Sequence, residues 1–258
     1  MSLVLTLLSE FGITMAADSA ITVMVNSKRR PLYGVKKLQP VHYLGAGISC
    51  WGDGEIENIP TDMWLEDFIN SNQHIVKIDD FAISLQNKLR EKVGKIKQGS
   101  LGFHLAGFVE TLQGSLPTFY HIHNGPSQYK HINSHIDPTL FNANQDIPPD
   151  KYEPGSFKIT RNGDYGLYAK LFEVIEKFLN TEVRPLGVQI PHPLSIDSLA
   201  EYLRFQIKTV SEIYKLSNLV PWIGGACNYI SYFETGNSRL RNQIRDGGAY
   251  GSRNINCR

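Results

Sequence analysis

Residues 2–19 of the chain read SLVLTLLSEFGITMAADS. Residues 2–8 and 13–17 form two short, mostly apolar runs, and a polar turn that ends at Gly12 separates them. Runs of this length on either side of a glycine-containing turn predict a hairpin of two buried strands. Asp18 follows the second run, so the hairpin places its carboxylate near the beginning of the first strand. The sequence therefore predicts an acid close to Ser2.

Ser2 follows Met1 directly, and a small second residue such as serine permits removal of the methionine. Without Met1, Ser2 carries a hydroxyl and a free α-amino group on the same residue. The pKa of such an amine is about 8, so the amine can accept the hydroxyl proton near neutral pH. Ser2 therefore combines a possible nucleophile with its own general base.

The composition is that of an ordinary globular protein, with 26 basic and 25 acidic side chains among 258 residues. This balance gives no electrostatic reason to expect a nucleic acid or a membrane surface as partner. Three scattered cysteines, Cys50, Cys227 and Cys257, make neither a disulfide framework nor a C-x-x-C metal site. The apolar start lacks the basic segment of a signal peptide, and no apolar run is long enough to span a membrane. A cytoplasmic protein is expected.

The first third of the chain is predicted to be strands, with a basic turn at residues 27–31 and a glycine-rich segment at 44–52. Helices are predicted over residues 61–72, 79–97, 163–180 and 195–216, with Asp79 and Ser195 as N-caps. Further strands are predicted over residues 101–109, 117–123, 156–160 and 222–234.

This order predicts an α+β fold class, a four-layer αββα sandwich of two antiparallel sheets flanked by helix pairs. Residues 1–236 are expected to form a single domain. A long loop insertion without periodicity is predicted at 124–155, and residues 237–258 are expected to be a polar C-terminal tail.

Three segments resemble the beginning of a proteasome β-type subunit, a member of the N-terminal-nucleophile (Ntn) hydrolases. They are Ser2, the sequence GITMAADSAIT at residues 12–22, and the sequence VKKL at residues 35–38. The resemblance continues through residues 45–53, 103–125, 162–164 and 223–225, and so covers most of the chain. It implies the Ntn hydrolase fold and an assembly of identical subunits as a ring or a stack.

The resemblance also implies a function and a set of site residues. Ser2 would attack an amide bond, with a peptide as substrate. Lys37 would lower the pKa of the Ser2 amine, and Asp18 would hold Lys37 charged and oriented. The Ser49 amide would stabilise the negative oxygen of the intermediate, with the Gly47 amide as the next candidate donor. The expected substrate-binding residues are Ile21, Thr22, Val35, Gly47 and Trp51, with the Thr22 backbone pairing with an extended peptide.

The sequence departs from the family pattern at the positions that support the N-terminal amine. Asn162 replaces a serine, and Val220 and Ile223 replace an aspartate and a serine. Two alternatives therefore stay open. The chain could be a catalytically inactive subunit that serves as a structural or binding module, or an amidase that acts on a non-peptide substrate.

No cofactor and no metal ion are expected. The alternative is a metal held by histidines, since His121 and His123 would lie on one side of a strand and His131 and His135 on one side of a helix. No acidic or cysteine ligand has a recognisable spacing to these residues, so the sequence favours histidines without a metal.

Overall fold

The computed structural model describes residues 2–9, 11–25, 28–92, 101–112, 114–124, 142–147, 157–163, 165–188, 190, 195–218 and 223–232. The chain divides into two compact units. Unit 1 combines residues 1–35 with residues 157–258, and unit 2 comprises residues 36–156. The prediction of a single domain over residues 1–236 stays a prediction.

Unit 1 contains an antiparallel sheet of four strands. In spatial order these are β12 (Phe157–Gly163), β1 (Leu3–Ser9), β2 (Gly12–Asp18) and β13 (Cys227–Tyr232). Every residue of β1 and β2 is buried, so both faces of the central hairpin are covered. Burial on both faces explains why the two strands are almost continuously apolar. The predicted hairpin at the start of the chain is confirmed.

Two helices pack on one face of this sheet, α3 (Tyr165–Phe178) and α4 (Ile196–Leu216). Leu3, Leu5 and Leu7 project from β1 into a core that these helices complete. The predicted Ser195 cap is confirmed, because the Ser195 hydroxyl accepts a hydrogen bond of 3.2 Å from the Ser198 N–H. A π-helical turn, Leu179–Val183, follows α3.

A small hairpin of β3 (Ile21–Val25) and β4 (Lys28–Leu32) completes the strands of unit 1. The prediction of a basic turn over residues 27–31 is wrong from Lys28 onwards. A two-stranded ribbon has two free edges, and charged side chains are well tolerated at such an edge. Polarity alone therefore did not distinguish the strand from a turn.

Unit 2 contains an antiparallel sheet of five strands. In spatial order these are β11 (Asn142–Ile147), β10 (Gly114–His123), β9 (Leu101–Thr111), β6 (Ala46–Gly52) and β5 (Leu38–Val41). A minimal ribbon of β7 (Glu55–Ile56) and β8 (Ile59–Pro60) follows β6. The helices α1 (Thr61–Ser71) and α2 (Ile78–Lys92) complete the core of this unit.

The predicted fold class is confirmed, since each unit combines one antiparallel sheet with one helix pair. Three details of unit 2 differ from the prediction. Residues 142–147, inside the predicted loop, form β11. Residues 42–44 form a 3-10 turn rather than strand. Asp79 lies in the first turn of α2 instead of capping it, and its carboxylate accepts a hydrogen bond of 2.6 Å from the Tyr120 hydroxyl.

Several predicted features lie outside the described residues. These are the polar tail 237–258, the end of the second predicted helix at 93–97, and the remainder of the loop insertion at 125–141 and 148–155. Among the helices that the structure describes, none is both long enough and apolar enough to cross a membrane.

Candidate active site

Ser2 lies at the buried end of the unit 1 sheet, where only 4% of its surface is exposed. The antiparallel pairing of β1 with β2 places Val4 opposite Ala17. Asp18, the next residue of β2, therefore reaches the beginning of β1, and its Oδ1 accepts a hydrogen bond of 2.8 Å from the Leu3 N–H. The hairpin of unit 1 thus places Asp18 close to the Ser2 end of the chain, as the sequence predicted.

The Asp18 carboxylate is fully buried and is held by three backbone amides. Besides the Leu3 N–H, Oδ2 accepts hydrogen bonds from the Ala20 N–H at 3.1 Å and from the Gly224 N–H at 3.2 Å. A buried carboxylate requires such partners, because an unsatisfied charge in the protein interior is strongly unfavourable. The three donors fix the position of both oxygens beside the start of β1.

Gly224 also closes a reciprocal contact, since its carbonyl accepts a hydrogen bond of 3.2 Å from the Ser19 N–H. The next residue, Gly225, has a φ of +74°, and a Cβ there would lie 2.3 Å from the Ser19 hydroxyl oxygen. Both the conformation and the close approach require glycine. The double glycine that resembles the family motif thus holds the turn that follows Asp18.

Gly163 restrains Ser2 from the β12 side. The φ of Gly163 is +107°, and a Cβ at this position would lie only 1.7 Å from the Ser2 carbonyl oxygen. No other residue type fits this contact without displacing the chain. Gly163 therefore restrains Ser2 on the β12 side, and the hydrogen bond from the Leu3 N–H to Asp18 restrains the adjacent residue on the β2 side.

The structure describes two of the three positions at which the sequence departs from the family pattern. Ile223 is fully buried in the apolar core under α4, so it packs and offers no polar group. Asn162 is buried and lies opposite Val4, which brings it to the same end of the sheet as Ser2. Val220 lies outside the described residues.

The predicted substrate-binding residues of unit 1 come after Asp18 in the sequence and lie near the turn that follows it. Ile21 is half-buried at the first position of β3, and Thr22 is paired with Pro31 of β4. Val35 is half-buried, and its N–H donates a hydrogen bond of 3.2 Å to the Ser19 carbonyl. The predicted residues Ile21 and Val35 are thus adjacent to the turn that carries the carboxylate.

Lys37 belongs to unit 2 and is 98% buried at the position just before β5. Its carbonyl accepts a hydrogen bond of 2.8 Å from the Cys50 N–H of β6. The preceding Lys36 N–H donates to an Asp62 carboxylate oxygen at 3.2 Å, which ties this segment to the first turn of α1. The backbone that carries Lys37 is thus fixed on both sides.

The pairing of β6 determines where its amides point. Because successive N–H groups of a strand alternate between its two neighbours, the Cys50 N–H that faces Lys37 sends the Ser49 N–H towards His104 of β9. The Gly52 N–H, two residues after Cys50, points to the same side as the Cys50 N–H. β5 does not extend as far as Gly52, since the first paired residue of β5 is Leu38, which lies opposite Ser49.

The remaining unit 2 candidates lie on the same strand. Gly47 is buried between Pro40 of β5 and Ala106 of β9. Trp51 is half-buried, and its indole lies so close to Gly102 that a Cβ there would come within 2.3 Å of the ring. Gly102 therefore makes room for the indole, which the sequence alone did not indicate.

Three buried histidines lie close together, and one of them, His121, lies beside Trp51. The ring of His121 stacks on His123 with centroids 4.1 Å apart, stands perpendicular to His104 at 5.3 Å, and lies 5.8 Å from Trp51. Burial, followed by the charges of His104 and His123, lowers the pKa of His121 to about 2. Across the described residues no group of three or more potential ligands could hold a metal ion, and His131 and His135 lie outside them.

The comparison with solved structures gives the fold. The chain shares its fold with Anbu. The chain is similar to a mutant of Anbu from Hyphomicrobium sp. strain MC1 at 13% sequence identity and a TM-score of 0.52, over 90% of this chain and 82% of the Anbu chain. At this identity the likeness to Anbu shows the fold alone. No protein-family model and no curated protein matches the sequence.

Unit 1 thus brings together Ser2, Asp18, Ile21 and Val35, and unit 2 brings together Lys37, Gly47, Ser49 and Trp51. The sequence identified the glycines at 163, 224 and 225 only as parts of motifs. Their role as contacts of Ser2 and Ser19 depends on distances that no sequence pattern gives.

Proposed function

We propose that the protein is an amide-bond hydrolase of the proteasome-like Ntn type, a peptidase whose nucleophile is Ser2. The observation that carries the proposal is the hydrogen bond of 2.8 Å from the Leu3 N–H to Asp18. It holds a fully buried carboxylate one residue from the nucleophile. The Anbu-like fold supports the same conclusion at the level of architecture.

In the proposed reaction the α-amine of Ser2 takes the hydroxyl proton as the oxygen attacks the substrate carbonyl carbon. The carbon–nitrogen bond then breaks, and the departing amine receives that proton. The resulting ester on Ser2 is hydrolysed by water, which restores the free hydroxyl. In this proposal Lys37 keeps the α-amine neutral by like-charge repulsion, and Asp18 orients Lys37.

The oxyanion donor in this proposal comes from β6. The Ser49 N–H was predicted for this role and stays a prediction, and the alternation along β6 favours Gly52. The Gly52 N–H points to the side where β5 is absent, whereas the Ser49 N–H points to β9. A donor for a developing oxyanion needs a direction that the sheet does not occupy.

Substrate binding in the proposal uses the predicted residues. An extended peptide pairs with the backbone of Thr22, and Ile21, Val35, Gly47 and Trp51 are the residues that we propose to contact its side chain. The Anbu likeness also supports an oligomeric assembly, for which we propose identical subunits in a ring or a stack.

The experiment begins with the intact mass of the protein from its natural source. The mechanism requires that Ser2 carries the free α-amino group, so retention of Met1 would eliminate it. With Met1 absent, a peptide epoxyketone or β-lactone is expected to modify Ser2, and peptide mass spectrometry locates the adduct. The Ser2→Ala protein is expected to stay unmodified. Equal modification of both proteins would contradict the assignment of the nucleophile.

The role of Lys37 is tested against its neighbour Lys36. Lys37→Ala is expected to slow probe modification by about 100-fold, which is typical for loss of a group that tunes the general base. Lys36→Ala is the matched control, since the Lys36 side chain is 70% exposed in a long ion pair of 3.7 Å with Glu66. Equal rates for the two variants would remove Lys37 from the mechanism.

One observation favours a second candidate, a catalytically inactive subunit with a structural or binding role. Ile223 stands where the family pattern has a polar support for the amine, and it is fully buried in an apolar core. A protein that has lost Met1, is correctly folded and resists every amide-directed probe would favour this candidate.

A further inference from the structure

Unit 2 carries an open groove of about 840 Å³ along α1 and α2. Trp64 and Phe68 form its floor, and their rings stack with centroids 5.7 Å apart. Ile59 and Ile83 lie at the rim with 39% and 53% of their surface exposed. Trp64 and Phe68 are themselves buried, with 7% of the surface of each exposed, so the apolar surface that the groove offers is mainly that of Ile59 and Ile83.

Charged side chains around this groove are mainly acidic. Four carboxylates line it, those of Glu57, Asp67, Asp80 and Glu91, against two lysines, Lys88 and Lys92. Both lysines are already engaged, because Lys92 pairs with Glu57 at 2.8 Å and Lys88 with Glu91 at 3.0 Å. Asp67 and Asp80 are exposed, and neither forms an ion pair within the described part of the chain. The groove therefore presents two exposed carboxylates beside the apolar side chains at its rim.

The C-terminal segment 237–258 has the complementary composition. It reads NSRLRNQIRDGGAYGSRNINCR and contains five arginines, no lysine and one aspartate. Arginine forms paired hydrogen bonds with carboxylates, so it suits the two exposed aspartates of the groove. Leu240 and Ile244, which alternate with these arginines, supply apolar side chains for the rim.

We propose that the groove along α1 and α2 binds the C-terminal segment 237–258 of a second copy of this chain. The segment is long enough to reach a second copy, because 22 residues can extend to roughly 70 Å. A compact unit of about 120 residues has a radius of gyration of only about 14 Å. The segment is thus long enough to leave its own subunit, and the fold shared with Anbu supports an assembly. This interaction does not depend on the activity of Ser2.

The groove side is tested by charge reversal in the full chain. The Asp67→Lys, Asp80→Lys double variant is expected to weaken self-association by about 10-fold or more at low salt. Its matched control is Glu173→Lys with Glu182→Lys, which makes the same change of charge at exposed positions in unit 1. Sedimentation velocity over a concentration series measures association, and circular dichroism confirms that the variants fold.

The tail side is tested by mixing. A variant with Arg239, Arg241 and Arg245 each changed to Glu is expected to associate as poorly as the groove variant. An equimolar mixture of the two is expected to regain association, because the reversed groove of one accepts the reversed tail of the other.

Three results would overturn the proposal. They are a wild-type protein that stays monomeric at all concentrations, association that neither variant weakens, and a mixture that regains nothing. The last result, together with weakened association of the single variants, would indicate that the tail binds its own subunit instead.

Discussion

Gly163 positions Ser2 because it has no side chain. Gly163→Ala is expected to displace the Ser2 carbonyl, since the added Cβ would lie 1.7 Å from that oxygen, and to abolish probe modification of Ser2. It is also expected to lower the free energy of unfolding by more than the 1–2 kcal/mol, roughly, that a positive φ imposes on alanine. Urea unfolding gives this value.

The chain offers a matched control at Gly187. Gly187 has a φ of +79°, and nothing lies within 4 Å of a Cβ built there. Gly187→Ala therefore reports backbone strain without a collision, and modification of Ser2 should be retained. If both variants lost the same stability and kept the same reactivity, the contact between Gly163 and Ser2 would have no role in positioning the nucleophile.

His121 makes stability depend on pH. Its pKa is about 2 in the folded protein, lowered by burial and then by His104 and His123, against about 6.5 for an ordinary histidine. Between pH values of about 2 and 6.5, His121 binds a proton in the unfolded state but not in the folded state. The free energy of unfolding therefore falls as the pH falls below about 6.5. The slope expected from this one residue is about 1.4 kcal/mol per pH unit.

Urea unfolding at a series of pH values between 4 and 7, roughly, measures this slope. His121→Phe keeps an aromatic ring beside His123 and Trp51 but removes the titrating group. The slope should therefore decrease by about 1.4 kcal/mol per pH unit, which corresponds to one proton. His74→Gln, at an exposed position, should leave the slope unchanged. An undiminished slope in His121→Phe would exclude His121 as its source.

At the scale of the elements, the sequence predicted strands and helices well where burial imposes a recognisable pattern of apolar residues. β1 and β2 are almost continuously apolar because both of their faces are buried, and α4 carries a serine cap that the sequence marks plainly. These signals are local, so the chain itself carries them.

Elements stabilised by pairing alone were missed. β4 is basic and β11 has the sequence NANQDI, so neither has an apolar period, and each is defined by the strand beside it. Asp79 has the residue type of an N-cap, but its carboxylate accepts the hydroxyl of Tyr120, which lies 41 residues away. Local propensity could not reveal that partner.

The same distinction applies to the candidate site. The closeness of Asp18 to the start of β1 follows from the length of one hairpin, which the sequence shows. The third amide on Asp18 comes from Gly224, and the direction of the Gly52 N–H follows from where β5 begins. Both depend on long-range register, which a single sequence does not contain.

At the scale of the whole molecule, unit 1 is built from both parts of the chain that flank unit 2. β13 pairs with β2 through six residue pairs, from Cys227 opposite Asp18 to Tyr232 opposite Ile13. A chain that ends after Gly236 is therefore expected to fold with an almost unchanged unfolding temperature. A chain that ends after Ala226 lacks β13, exposes the edge of β2 and is expected to lose cooperative unfolding.

Thermal unfolding followed by circular dichroism compares the two truncated chains with the full one. Cooperative unfolding of the chain that ends after Ala226 would show that unit 1 does not need β13. Loss of folding in the chain that ends after Gly236 would move the predicted domain boundary into the tail.

The reciprocal hydrogen bonds of Gly224 with Asp18 and Ser19 impose an order in time. The two partners are separated by 206 positions for the Asp18 contact, so a ribosome must translate almost the whole protein before the contact forms. Asp18 and Ser19 therefore lack these contacts until Gly224 has been synthesised. If Ser2 is the nucleophile that we propose, its surroundings would form only after residue 224 is made, so the protein would not attack its neighbours earlier in synthesis.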